Sequence, residues 1–539
     1  VNEFARLVDD FCATDWGFHP IDASFAGMTS YDAELPPADA TSIAREIEEF
    51  SELRDRARTT PVPGDAGSRL DARLMDAQIA YRLKTLHERA PQHNPAYYTG
   101  EVAFSIVSHL LASPVERDPT HLAARIRAIP ELLSGGATLL QGRPIPAGWV
   151  RRANAEIAST SRLLRDGLRK HPVSSALPDS DIEGAVKALH RFGGIINTAE
   201  ETDPACGRDF LAFLLREVHG LEQTPETLER ESVAAFNAVQ SQLEEEAEKL
   251  DPGVPWLEQC SRLRTIGPGA SEVLPSYALW HHRAMHDASE LVTPAVEYAL
   301  EFRNVPSWAR DFVSDMDFLR YRAPAFVKPG DGSTYWIMAA NRGDHNDIAA
   351  HNTAHVKLVG AVHHGSIGHH TQNTRARSAA SRIARLAGTD GSMSIFHHAA
   401  GTMIEGWACY AETLLSEVPD FYTPAERLLV RAYQLRSIGH CIADVRLHCG
   451  IWPLDEVHRF YRDDLGFSPG QIWPEITRNS IFPTNALIMW AGTETIAALR
   501  AASPLPAKAF HDRLLSYGSA PIAWVAQELR REPAAASVA

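Results

Sequence analysis

The sequence predicts an all-α fold, and three observations carry that prediction. Helical periodicity runs through most of the chain, strand signals are confined to one short region, and no internal repeat or low-complexity linker interrupts the pattern. With 539 residues, 45% of them hydrophobic and 22% charged, the chain has a globular composition and the length for a large buried core.

The elements follow in order. Val1–Arg6 lacks the charged-then-apolar pattern of a leader and reads as a helix start. Amphipathic stretches cover 40–56, 66–90, 118–135 and 147–170, separated by short loops such as Pro61–Pro63 and Pro144–Pro146. The segment from Thr224 is the clearest helix. Thr224 can cap it, Pro225 suits its first position, and Glu226 faces its positive end. Leu228, Phe236, Val239, Leu243, Ala247 and Leu250 form its apolar stripe, and Asp251-Pro252-Gly253 ends it. Further helical stretches lie at 375–387, 402–416, 424–448 and 506–516. One β element is expected: Ala325–Lys328 and Ser333–Met338 flank Pro329-Gly330-Asp331-Gly332 and read as a hairpin. Residues 533–539 read as a flexible tail. The organisation expected is a single helical unit over 1–539, with two lobes around a central cleft.

Charge and cysteine content narrow the function classes. The 52 basic and 68 acidic side chains leave a formal charge of -16, which disfavours nucleic acid or an anionic membrane as partner. No run approaches the length of a membrane span. Six cysteines are scattered without a CxxC pair, which favours reduced thiols and a cytoplasmic setting.

The chemistry concentrates late in the chain. Nine of the 24 histidines fall between His345 and His398. Imidazole nitrogens are good ligands for zinc and similar metals. In His363-His364-Gly365-Ser366-Ile367-Gly368-His369-His370, an unbroken helix would put His363 and His370 too far apart to share an ion. Gly365 and Gly368 allow a bulge that brings His369 near an i+4 position. His351/His355 and His282/His286 also have i,i+4 spacing, but bonding to backbone or carboxylates explains such pairs more simply. Downstream, Glu405, Cys409 and Glu412 share one helix face. Either Glu405 points inward as a ligand, or Cys409 packs in the core and both glutamates face solvent. Trp407 and Tyr410 mark this helix as packed.

At these segments the sequence resembles a bacterial family known as domain of unknown function 885, whose members look like all-helical gluzincin metallopeptidases similar in fold to thermostable metallocarboxypeptidases. The family's H-E-x-x-P-G-H-H motif stands here as His363–His370, followed by Gln372. Its E-G-W-A-x-Y-A-E motif is matched from Glu405 to Glu412. Arg436–Trp452, with Asp444 and His448, looks like a further family helix. Glu475–Gly492 and Phe510–Pro521 resemble its closing segments, and Phe18-His19-Pro20 and Tyr31-Asp32 fit it loosely.

The resemblance implies a cleft-containing, metallopeptidase-like helical fold with a small β-hairpin beside the site. It implies zinc held by His363, Glu405 and one of His369 and His370. His364, or a water relayed through Glu412, would supply the base. Arg478 would hold a substrate carboxylate, and His448 and Tyr335 would also line the substrate site. The hairpin could pair with an extended peptide. The expected substrate is a peptide or small amide.

The chain also departs from the pattern. His364 stands where the family has its base Glu, Ile367 where it has Pro, Asn479 where it has Tyr, and Met489 where it has a late Tyr. Loss of a base and of an oxyanion donor each costs orders of magnitude in rate. Three readings therefore stand: a metal-dependent hydrolase, a binding or regulatory protein on the same scaffold, and a metal site turned to non-peptidase chemistry. Asp444 and His448, at i,i+4, fit best as partners of each other within the bundle.

Overall fold

The computed structural model describes residues 2–111, 116–313, 320–338, 350–393 and 395–531. Helices dominate it, with three short strands: β1 (Leu300–Asn304), β2 (Tyr321–Arg322) and β3 (Ser333–Ile337). The chain folds as two compact units, each assembled from three stretches. One comprises Val1–Pro204, Val305–Gly332 and Leu386–His398; the other comprises Ala205–Asn304, Ser333–Arg385 and Ala399–Ala539. His345 and the 533–539 tail lie outside the described residues. No helix among the described residues is long and apolar enough to cross a membrane.

In the first unit, side-chain caps begin the helices. Asn2 Oδ1 accepts from the Ala5 N–H at 2.7 Å and opens Glu3–Phe18. Asp39 and Asp65 do the same for Ala40–Thr59 and Ala66–Glu88. The stretch from 147 is α-helical to Arg162, then passes through a π-turn and a 3-10 turn to Lys170. Arg125, fully buried on Pro119–Leu140, donates to the carbonyls of Glu34, Ser105 and Tyr31 and to the hydroxyls of Ser24 and Ser108. One guanidinium thus ties that helix to the N-terminal segment and satisfies backbone acceptors a hydrophobe would leave bare.

In the second unit, the Thr224 helix forms as Pro225–Leu250, with a capping box made by Thr224 and Thr227. Leu228, Phe236, Leu243 and Ala247 are buried against the long helix Pro424–His448, while Leu250, at its end, is exposed. Two expectations change here. The stretch 375–387 is not one helix: His369–Ala376 ends, and Arg382–Leu386 begins after Ser381 accepts the Ala384 N–H at 2.9 Å. Arg377 and Arg385 bond backbone carbonyls across that break, replacing helical hydrogen bonds with side-chain ones.

The hairpin also differs. Residues 326–328 are bends, and Lys328 sits at φ 54°, left-handed, just before Pro329. No strand passes through that conformation. β3 instead pairs in parallel with β1, in register from Leu300↔Ser333 to Asn304↔Ile337.

Candidate metal site

The site is built where a helix fails. Thr353–His355 continues into a π-helix over Val356–His363, and the His364 N–H reaches back to the Val359 carbonyl at 3.0 Å. The chain then turns over 364–368 and restarts as His369–Ala376. π-Turns inside helices recur at functional sites because they displace side chains from the regular spiral.

Glycine is required in this turn. A Cβ on Gly368 would stand 2.0 Å from the His363 carbonyl oxygen, and one on Gly365 2.7 Å from that of Ala361. Other bonds fix the turn from outside. Trp407 Nε1–H donates to the Ile367 carbonyl at 2.7 Å, the Ser366 N–H donates to His281 Nδ1 at 3.0 Å, and Thr371 Oγ1–H donates to the Ser366 carbonyl at 2.6 Å. Burial pushes His281 down to about 3, helped by His370 and His282, so it stays a neutral acceptor.

The helix Gly401–Leu414 carries the acidic half. It crosses Leu487–Ala502 at Gly406 and Gly492, where a Cβ on Gly406 would stand 2.6 Å from the Gly492 Cα. That close crossing fixes the helix on which Glu405, Cys409 and Glu412 stand.

The two halves meet in an ordered set of contacts. His363 Nδ1–H donates to Glu412 Oε1 at 2.7 Å. His363 Nε2 lies 3.9 Å from Glu405 Oε2, and His369 Nε2 lies 3.9 Å from Glu405 Oε1. His363, His364 and His369 each place a ligand atom within 4.8 Å of the others, and His363, Cys409 and Glu412 form a second such group. His370 turns the other way, with Nδ1 3.1 Å from Ser333 Oγ, and burial holds it down to about 4.

Electrostatics separates the roles. Burial pulls His363 down, but the hydrogen bond and charge of Glu412, with the charge of Glu405, outweigh it and leave its pKa above the ordinary histidine value. Burial pushes Glu412 up against the opposing pull of His363. His369 falls well below the usual value through burial and the nearby His363. Burial and the charges of Glu412 and Glu405 hold Cys409 as a thiol. Three imidazoles with ligand atoms within 4.8 Å of one another, and a carboxylate on His363 Nδ1, are donors of the kind a zinc-type ion takes.

A family profile described as "Bacterial protein of unknown function (DUF885)" matches residues 20–529. The chain belongs to this family. No curated protein matches the sequence. Among solved structures, a "putative lipoprotein of unknown function" from Shewanella oneidensis aligns with a TM-score of 0.78 at 17% identity, covering 98% of this chain and 100% of the other. A "putative lipoprotein" from Colwellia psychrerythraea aligns with a TM-score of 0.75 at 13% identity, covering 98% of this chain and 99% of the other.

The remaining candidates of this DUF885 chain take other places. His448 is fully buried: Nε2 lies 3.2 Å from Asp444 and 3.1 Å from the Asn479 carbonyl, and Nδ1 accepts the Cys206 N–H. Both its nitrogens hold the bundle together, as its spacing with Asp444 suggested, and neither is left for a substrate. Arg478 pairs with Glu475 at 3.1 Å. Asn479 bonds the Tyr461 hydroxyl. Tyr335 is buried on β3, its ring 5.5 Å from that of His364. His351 spends both nitrogens on the Tyr277 hydroxyl and the Met338 carbonyl. His286 faces solvent beside Asp287. The sequence reading missed His281 and the grip of Trp407 on Ile367, which no local spacing signals.

Proposed function

We propose that this chain is a metal-dependent hydrolase of the peptidase kind, acting on a peptide or small amide, with a zinc-type ion held by His363, His369 and Glu405. One observation carries the reading: a single carboxylate, Glu405, offers one oxygen to each of two histidine Nε2 atoms, 3.9 Å away in both cases. Such an ion, when bound, polarises a carbonyl and lowers the pKa of water. Glu412 orients His363 from behind, fixing which nitrogen faces Glu405. His364 occupies the place of the acid that serves as base in gluzincins, with a ring nitrogen within 4.8 Å of those of His363 and His369. The resemblance makes Arg478, paired with Glu475 at 3.1 Å, the cation for a substrate carboxylate. The replacements at 364, 479 and 489 predict slow turnover.

A second reading, metal binding without hydrolysis, is favoured by His364 itself, because the motif keeps its ligands and lacks its acid. Metal analysis after dialysis against zinc tests the shared premise. About one equivalent is expected in the wild type and much less in Glu405→Gln; less than about a tenth of an equivalent in the wild type overturns both readings. His364→Glu then divides them. A rise in hydrolysis of a peptide library supports the hydrolase scaffold, and no rise supports the binding reading. The cysteine pattern supports a cytoplasmic setting, while the lipoprotein descriptions of both structural neighbours support an envelope one. We favour the envelope, and cell fractionation decides between them.

A further inference from the structure

We infer that His364 is a third imidazole ligand, which closes the metal site with four protein groups in the resting protein. The inference rests on the metal reading above and deepens it. His364 adjoins His363 in sequence, and neighbours on a regular helix face different directions. Here the helix has already failed. His363 ends the π-turn, His364 begins the bend, and its N–H bonds five residues back instead of four. The rings of His363 and His364 stand 4.8 Å apart, those of His363 and His369 also 4.8 Å, and those of His364 and His369 5.6 Å. The three rings thus crowd one point.

The ligand atoms agree with the rings. Nitrogens of all three histidines lie within 4.8 Å of one another. Two donors each ~2.1 Å from one tetrahedral zinc lie ~3.4 Å apart, so side-chain adjustments of about an ångström complete the set. A general base has a different requirement: it stands beyond the ligands and faces the reacting atoms. The mutual packing of His364 with both His363 and His369 meets the ligand requirement instead. The Tyr335 ring lies 5.5 Å from that of His364, tilted at 53°. Glu405 is the fourth group. Structural zinc sites use four protein ligands, whereas catalytic sites keep one position open. His364 therefore acts as a plug. A carbonyl substrate gains the position only when this imidazole leaves it.

The test uses zinc affinity and the cobalt(II) spectrum of the full chain. In His364→Ala, zinc binding is expected to weaken by about 100-fold or more, beyond the roughly 10–100-fold range of outer-group changes. Azide is expected to shift the cobalt spectrum of the variant but not of the wild type, and added imidazole is expected to reverse the change. Unchanged affinity with an unchanged spectrum overturns the plug and leaves the metal reading intact. A wild type that binds neither zinc nor cobalt overturns the metal reading itself. Should the variant fail to fold, X-ray absorption of the wild-type zinc protein decides: three imidazoles support the inference, and two overturn it.

Discussion

His363 has two ring nitrogens, and Glu412 determines which one is turned toward Glu405. The 2.7 Å bond to Nδ1 leaves Nε2 facing the other carboxylate. Glu412→Gln keeps the shape but loses the charge, so zinc affinity is expected to fall about 10–100-fold with the fold intact. Competition with a chromophoric chelator measures this, and unchanged affinity would remove Glu412 from the site. The sequence singles out Glu405 as a carboxylate on a packed helix beside Trp407, and the structure leaves its side chain partly exposed, 3.9 Å from His363 Nε2. The contact between Glu412 and His363 was not legible in the sequence, since the two residues are brought together only by packing of separate helices. That His369 faces Glu405 while His370 faces Ser333 also needed the structure. It depends on how the chain turns at Gly365 and Gly368, and periodicity carries no information about a broken helix.

At the scale of elements, the site depends on two helix placements. The crossing at Gly406 and Gly492 leaves no room for a methyl group. Gly406→Ala is expected to destabilise the protein by ~1–3 kcal/mol, read by urea denaturation, because overpacking forces backbone shifts. A neutral result would mean that the two helices separate easily. The second placement is ionic. Lys357, buried on the π-helix, donates to Glu426 at 2.8 Å and to the Phe421 carbonyl at 3.1 Å, with its ammonium 4.0 Å over Trp280. Lys357→Ala strands the buried Glu426, and a loss of about 3–5 kcal/mol is expected. A loss below about 1 kcal/mol, typical of a solvent-exposed pair, would show that water reaches it. The Thr224 helix could be read residue by residue because its cap, stripe and stop are all local. The hairpin could not. Ser333–Ile337 has strand chemistry, but its partner β1 pairs with it from 33 residues upstream in sequence, and local turn signals pointed to a nearer one.

For the whole molecule, buried titratable groups shape stability against pH. Burial raises Glu46 to about 7 and Glu101 to about 8, and raises Asp22 to about 6. Ser392 bridges two of them, its N–H on Asp22 and its hydroxyl on Glu101, both at 2.6 Å. Arg82 faces all three, Asp15 faces Asp22 and Glu46, and Arg125 faces Glu101. An acid with a raised folded pKa holds protons that the unfolded chain has released. Stability is therefore fully present below the ordinary carboxylate value and is lost as pH rises through the folded one. Buried histidines act oppositely at lower pH. His19 and His397 are pushed by burial to about 4, so they favour folding increasingly as pH rises toward the ordinary histidine value. Above that value both are neutral in either state and their effect is spent. Stability should therefore fall between about pH 6.5 and 8, where the histidines no longer offset Glu46 and Glu101, by up to ~1.4 kcal/mol per pH unit for each carboxyl between its ordinary and its raised value. Urea denaturation at several pH values checks this. Glu101→Gln is expected to flatten the decline, and a wild-type stability that holds or rises over that interval would show that these carboxyls are ionised in the folded protein.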